Sequence, residues 1–346
     1  MKTPLLYLFM ILIFCVSSCK QSTSQDLKPT KSRSILPPNT GNISEIVIVI
    51  PDDLWSGDVG QALKEIFQAN VQGIPQQEAM FDVFAINSNQ FSSIFKSHKN
   101  ILWLSIADTT EINKQMDNWS KDQLFVSIAS KTKEELALVV REHGLNIRAW
   151  FLAKDLVRRT QKIKQNSEIE LQQELFNTYN YNIIVPSGFS VTLSEQDFIW
   201  LRRDQPKLNV ISNVWLYTMP YTNENQLSKA YLIQLRDSLG KTHVEGARPH
   251  SYMATEMLYE PDFTITSENP YTIEIRGLWT MVNDFLGGSF ISCARLDKKN
   301  NRIIYAEGFL YCPNERKRYH LQELESILYS LKFELLTFDR YGKQYH

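Results

Sequence analysis

The chain has 346 residues, with 37 Lys and Arg against 38 Asp and Glu and a formal net charge of −1. Such balance argues against a nucleic-acid binder, which needs a basic face. The length suits two ordinary domains or one large one, with enough chain to bury a core.

The first element in chain order is a leader. Lys2 precedes an apolar stretch over 5–16, and Ser17 and Ser18 lead into Cys19. A positive start, a short apolar run and small residues at the cleavage point make a signal peptide. The stretch is too short to span a bilayer, which takes about 20 apolar residues. A cysteine at the first mature position accepts diacylglycerol on its thiol and a fatty acyl chain such as palmitate on its amine. Residues 1–18 are therefore expected to be a lipoprotein signal peptide, and Cys19 the lipidation site. Each buried methylene contributes about 0.8 kcal/mol, so several acyl chains anchor durably. The plain alternative is an ordinary secretory leader or an uncleaved anchor.

Residues 19–43 are rich in Ser, Thr, Gln, Lys and Pro and read as a disordered tether. Its root-mean-square reach is roughly 25–30 Å. Lys20-Gln21-Ser22-Thr23 contains neither an aspartate directly after the cysteine nor an acidic export run. The expected location is the outer membrane, facing the periplasm, with the membrane itself as one partner through Cys19.

Residues 44–180 read as a first α+β domain. The β-branched run over 45–51 predicts a buried strand. A loop then leads into a helix carrying Ala62, Leu63, Ile66 and Phe67 on one face. Strands are predicted over 81–86, 101–106 and 124–129, with a short helical piece over 91–95. Thr132-x-x-Glu135 forms a capping box that opens a long helix. Its apolar positions include Leu136, Val140, Ile147, Phe151 and Leu156, with a bend at Gly144; a second helical segment is predicted over 170–176.

Residues 181–346 read as a second, β-rich α+β domain. Strands are predicted over 183–185, 198–202, 210–218, 252–259, 271–280, 290–296 and 302–311, with one helix over 226–239. A last helix starts near Glu315 and carries Leu324, Ile327, Leu328 and Leu331 as its stripe. The expected fold class is α+β, with mixed and antiparallel sheets and helices packed on one face, as two α+β halves.

Beyond the leader and Cys19, the cysteines are Cys293 and Cys312. A hairpin turning at 297–301 places Cys293 opposite a residue near Ala306, leaving Cys312 roughly 20 Å further along the strand. That exceeds the reach of a disulfide, so two unpaired thiols are expected. No histidine stands at ligand spacing from them, the six histidines form no paired motif, and neither metal nor cofactor is expected.

Several segments carry polar groups that suit a binding site. The loop over 51–60 runs from strand to helix, but its three aspartates repel phosphate and it lacks a nucleotide-loop ending. Arg202 opens the basic pair before Asp204. Arg316-Lys317-Arg318 places cations at a helix start, where they oppose the macrodipole; an acidic partner or lipid headgroups would relieve them, and a solvated surface is the plain alternative. His250 and Ser251 are adjacent, so in extended chain they point to opposite faces and form no nucleophile and base pair; no catalytic residue is expected. Glu256 follows on the same stretch. Trp279, Asn283, Asp284, Gly287 and Gly288 cluster where one strand ends and the next begins, as a pocket rim would. A β-connection around a core Trp explains the same residues without a ligand.

Several strings together identify a resemblance. They are Gly57-Asp-Val-Gly60, Ile74-Pro-Gln-Gln-Glu78, Ile184-Val-Pro-Ser-Gly-Phe189, Asp197-Phe-Ile-Trp-Leu-Arg202 and Tyr252-Met-x-Thr-Glu256. Gly277-Leu-Trp279, Asp284-Phe-x-Gly-Gly288 and Glu307-Gly-Phe309 complete the set. With them the chain resembles domain-of-unknown-function family 4837, lipoproteins of Bacteroidota, over nearly all of its mature length. The resemblance agrees with the Cys19 pattern and transfers no catalytic residue. The expected function is that of a non-enzymatic binding or accessory lipoprotein of the envelope, meeting an envelope protein through the segment 279–288. The alternatives are a hydrolase of an envelope polymer, with carboxylates such as Asp284, Glu256 or Asp204, and a lipoprotein that binds a small ligand between its halves.

Overall fold

A computed structural model of the chain describes residues 36–332 apart from Asn269. Cys19, the leader and the first part of the expected tether lie outside the described residues. So does the segment after residue 332. Residues 37–40, at the end of the expected tether, are docked: Thr40 N–H donates to Ser97 O (2.8 Å) and Lys121 N–H to Pro37 O (2.9 Å).

The first half is built on a five-stranded sheet. In chain order its strands are β1 (Glu45–Val49), β2 (Asp82–Ile86), β3 (Asn100–Ile106), β4 (Glu111–Met116) and β5 (Leu124–Ser130), arranged β2-β1-β3-β5-β4. All pairs are parallel except β4 with β5. The helices are α1 (Asp52–Ser56), α2 (Asp58–Phe67), α3 (Ser93–Lys96), α4 (Lys133–Gln165) and α5 (Ile169–Tyr179). Alternation along the strands sends Ile46, Ile48, Leu102, Leu104, Val126 and Ile128 into a core shared with α2 and α4. Val47, Val49, Ile101 and Phe125 go to the other face, where Phe91, Phe95, Trp103 and Trp119 cover them.

The second half is an eight-stranded antiparallel sheet. Its strands are β6 (Ser190–Ser194), β7 (Phe198–Gln205), β8 (Val210–Pro220), β9 (Tyr252–Thr255), β10 (Asp262–Glu268), β11 (Tyr271–Val282), β12 (Gly287–Asp297) and β13 (Arg302–Tyr311). The order is β10-β11-β12-β13-β8-β7-β6, with β9 paired to the end of β11. Helix α7 (Arg318–Ser330) lies on one face, packing Leu321, Leu324, Ile327 and Leu328 against Val214, Ile291 and Ile304. Helix α6 (Lys229–His243) covers the other face, with Leu232 among Trp215, Phe290 and Tyr305. The chain is thus an α+β protein with one mixed and one antiparallel sheet.

Several local expectations are corrected. Residues 183–185 form no strand, only the flanking bridges Ser167 with Pro186 and Asn182 with Lys332. The strand expected over 252–259 ends at Thr255. Helix α4 runs unbroken for 33 residues through Gly144 and beyond Arg158. Gly144 is a packing site: a Cβ there would stand 2.4 Å from Ile66 Cδ1 of α2. The polar end of α4 stays helical because its charges are buried with partners. Arg158 donates to Asp155 Oδ1 and Asn100 Oδ1 (both 2.7 Å). Arg159 donates to Glu325 on α7 (3.0 Å), tying the two halves together. At the start of α4, Thr132 Oγ1 accepts from Glu135 N–H (3.2 Å), as the capping pattern predicts.

Candidate functional site

The hairpin of β11 and β12 positions the candidate site. Across it Trp279 pairs with Gly288 and Thr280 with Gly287, while on the other side Trp279 pairs with Thr255 of β9. The Trp279 indole is buried and donates from Nε1 to Leu310 O (3.2 Å). Gly288 makes room for that contact. A Cβ there would lie 2.0 Å from Leu310 O and 2.9 Å from Trp279 Nε1. Gly287 is crowded in the same way, its Cβ position falling 2.9 Å from Trp279 O.

β9 is fixed from below by a buried charge network. Arg236 of α6 donates to Glu307 Oε1 (3.0 Å) and to Thr255 Oγ1 (3.1 Å), and lies 4.0 Å over the Phe290 ring. Thr255 N–H and Oγ1 both donate to Asp237 Oδ1 (2.7 Å). Burial pushes the Glu307 carboxyl up, against the pull of Arg236 and of the hydrogen bond from Tyr305. Glu256, the next residue after Thr255, is held by its own N–H to Leu278 O (2.8 Å).

Above this frame lies a cleft of about 290 Å³. Glu256, Trp279, Gly287 and Gly288 of the sequence candidates line it together. Gln76, Cys312 and Lys317 join them from two other loops. Burial pushes the Cys312 thiol up. Cys293 and Cys312 are both free, and Cys293 stands opposite Ala306 as expected.

Asn283, Asp284 and His250 meet at the hairpin tip beside the cleft. Asn283 takes the left-handed conformation (φ 62°) and donates from Nδ2 to His250 O (3.1 Å). Asp284 Oδ1 accepts from Phe285 N–H (2.8 Å) and lies 3.8 Å from Arg248 Nε. Ser251 Oγ donates to Arg248 O (2.6 Å), so the serine beside His250 is engaged in its turn. Arg202 stands apart on β7, in a pair with Asp204 (2.7 and 3.1 Å).

The cleft has an apolar rim that sequence reading missed. Leu258 is 87% exposed and Phe285 86%, with Met257, Tyr259 and Leu286 also exposed. Phe285 and Leu286 line the cleft, and Met257, Leu258 and Tyr259 directly follow Glu256. The strand expected through 259 hid this loop. Its Met-Leu-Tyr run resembles a strand interior, and only the absence of a pairing partner makes it a surface. Among the described residues no His, Cys, Asp and Glu group is placed to hold a metal ion. No helix among them is long and apolar enough to cross a membrane.

Residues 168–330 match the family model for a domain of unknown function, DUF4837, and residues 39–164 match that for another, DUF8532. No curated protein matches the chain in sequence. Among solved structures, the Ran-binding protein Mog1p of Saccharomyces cerevisiae is similar over 45% of this chain and 92% of its own, at 11% identity and a TM-score of 0.32. A Mog1 point mutant is similar over 44% of this chain and 90% of its own, at 12% identity and a TM-score of 0.31.

Proposed function

We propose that this chain, which carries a DUF4837 domain over residues 168–330, is an envelope lipoprotein anchored through Cys19 that binds another envelope protein without catalysing a reaction. The anchor rests on the signal-peptide pattern ending at Cys19. The binding reading rests on one observation, the exposed Leu258 and Phe285 beside a cleft whose mainly apolar lining includes the polar groups of Gln76, Glu256 and Lys317. Exposed apolar patches next to hydrogen-bonding groups mark protein contact sites. Phe285 sits under the Arg248 guanidinium at 4.5 Å, an arrangement suited to a partner's aromatic or carboxylate group.

A protein partner fits this rim better than a bilayer. Gln76, Glu256 and Lys317 in the cleft offer hydrogen bonds that acyl chains do not use. The hydrolase alternative asks for two carboxyl groups about 5–9.5 Å apart. The cleft wall carries one, Glu256, whose Oε1 accepts from Leu258 N–H (3.0 Å).

The anchor is tested by labelling cells with a palmitate analogue and fractionating them. Wild type is expected to carry label and sediment with membranes, and Cys19→Ala to lose both. Membrane association retained without label contradicts lipidation at Cys19. The partner is tested by crosslinking in cells and mass spectrometry of wild type against Leu258→Asp. A protein enriched with wild type and lost with a folded Leu258→Asp supports the binding face; equal enrichment with both contradicts it.

A further inference from the structure

The hairpin of β11 and β12 leaves a strand edge uncovered inside the cleft, and register fixes where. Met281 N–H donates to Leu286 O (2.8 Å) across the hairpin, and Glu256 N–H donates to Leu278 O (2.8 Å) on the β9 side. Backbone bonding alternates along an antiparallel pair. Trp279 and Gly288, the next bonding pair after Met281 and Leu286, therefore face each other with their backbone groups. Thr280 turns its own toward β9, and Gly287 turns its N–H and C=O away from β11, toward the line of β13.

β13 does not reach that point. Its pairing with β12 ends where Leu310 meets Ser289. Cys312, which the same register would set opposite Gly287, leaves the sheet instead, its Sγ donating to Glu315 O (3.7 Å). The Gly287 N–H and C=O thus end a ladder whose next rung is missing. They are accessible, since Gly287 is exposed and lines the cleft of about 290 Å³ together with Gly288, Cys312 and Pro313.

A donor and an acceptor side by side on one extended residue match the same two groups of another extended residue. Gly287 and Gly288 carry no side chain, so a second backbone can come close. The surroundings are apolar, with Phe285 and Leu286 at the hairpin end and Pro75 in the wall, where the alternating side chains of a strand would find contacts. We propose that the partner enters this cleft as an extended peptide segment, which adds to β12 at Gly287 and continues the pairing that β13 breaks off. This occupant rests on the reading of the rim as a protein-binding face and narrows it to main-chain recognition.

The test selects phage-displayed random nonapeptides on the full chain, purified in detergent, and titrates a selected peptide calorimetrically. Saturable binding is expected, weakened about tenfold or more by Phe285→Asp. N-methylation of the one peptide amide that bonds Gly287 O is expected to weaken binding about tenfold, and N-methylation of either neighbouring residue to leave it unchanged. Phe285 is 86% exposed and N-methylation alters only the peptide, so neither arm depends on a variant that unfolds. No selected peptide, equal binding to Phe285→Asp, or a methylation scan without a sensitive position between insensitive ones overturns strand addition. The wider reading is judged apart. A protein adduct formed in cells at position 258 or 285 without any selected peptide overturns the extended segment alone, and absence of both overturns the docking rim as well.

Discussion

The carboxylate of Glu78 reaches the start of α7, where its two oxygens accept from Lys317 N–H (2.7 Å) and Arg318 N–H (3.0 Å). The two residues lie 240 positions apart in the chain. Arg318 answers by donating through its guanidinium to Ala79 O and Asp82. The basic run at the helix start is therefore relieved from within the same molecule. Residues 74–78 lie in the stretch matched by the DUF8532 model and 315–318 in that matched by DUF4837, so this joint links the two matched regions.

Glu78→Ala removes this cap and leaves two helix N–H groups without an acceptor. Loss of a helix cap costs about 0.5–2 kcal/mol. Chemical denaturation is expected to show a lower midpoint of that order, with Glu78→Gln between the two. An unchanged midpoint in Glu78→Ala shows that water replaces the carboxylate at no loss.

Gly288→Ala is expected to be more damaging than an ordinary surface change. The added Cβ meets the Leu310 carbonyl and the Trp279 indole nitrogen together, and neither is a flexible side-chain end. Overpacking of this kind costs about 1–3 kcal/mol or more. The measurement is denaturant unfolding followed by tryptophan fluorescence, with Phe285→Ala as a control that leaves stability within about 0.5 kcal/mol.

The two thiols should be silent in the native protein. Burial pushes Cys293 up to about 12 and raises Cys312 as well, and the thiolate is the reactive form. Iodoacetamide followed by peptide mass spectrometry is expected to leave both unmodified until denaturant is added. Rapid native labelling of Cys312 would mean that the cleft opens far enough to expose it.

Acid should weaken the fold in two stages. Burial holds His98 and His320 below the ordinary value of 6.5, although Glu45 and Glu323 respectively pull them up. A folded value below the unfolded one means stability that is complete above pH 6.5 and lost as pH falls through that point. Burial raises Asp122, but the bonds from Lys154 and Arg158 override it and hold the carboxyl below its usual range. Its contribution is lost at lower pH, beneath about 4. Thermal melting between pH 7 and pH 5 is expected to show a falling Tm in wild type and a flatter profile in His98→Gln/His320→Gln. Identical slopes would assign that window to other groups.

The longer helices and the central strands were legible because burial writes a period into the sequence, whereas α1 falls in the stretch 51–60 read as a loop. β13 matches its expected bounds, 302–311, and Cys293 falls opposite Ala306, since alternating residues with one buried face fix register. The strands missed, β4, β6 and β10, include two whose residues are nearly all exposed or half-exposed. β4 reads Glu-Ile-Asn-Lys-Gln-Met and β6 Ser-Val-Thr-Leu-Ser, each at the margin of its own sheet. Their stability comes from the neighbouring strand's backbone, which leaves no apolar pattern to read. Trp279, Gly287 and Gly288 were legible as a cluster, but Lys317 and Gln76 reach the same cleft from distant segments, and only the fold brings them there.

The binding face is tested most directly by placing a photo-crosslinking phenylalanine analogue at position 258 or 285 in living cells. Ile94 and Leu138, which are also exposed, serve as control positions. One protein adduct is expected from positions 258 and 285 and not from 94 or 138. Adducts with lipid alone, or the same protein adducts from all four positions, would contradict a protein-docking role for the rim.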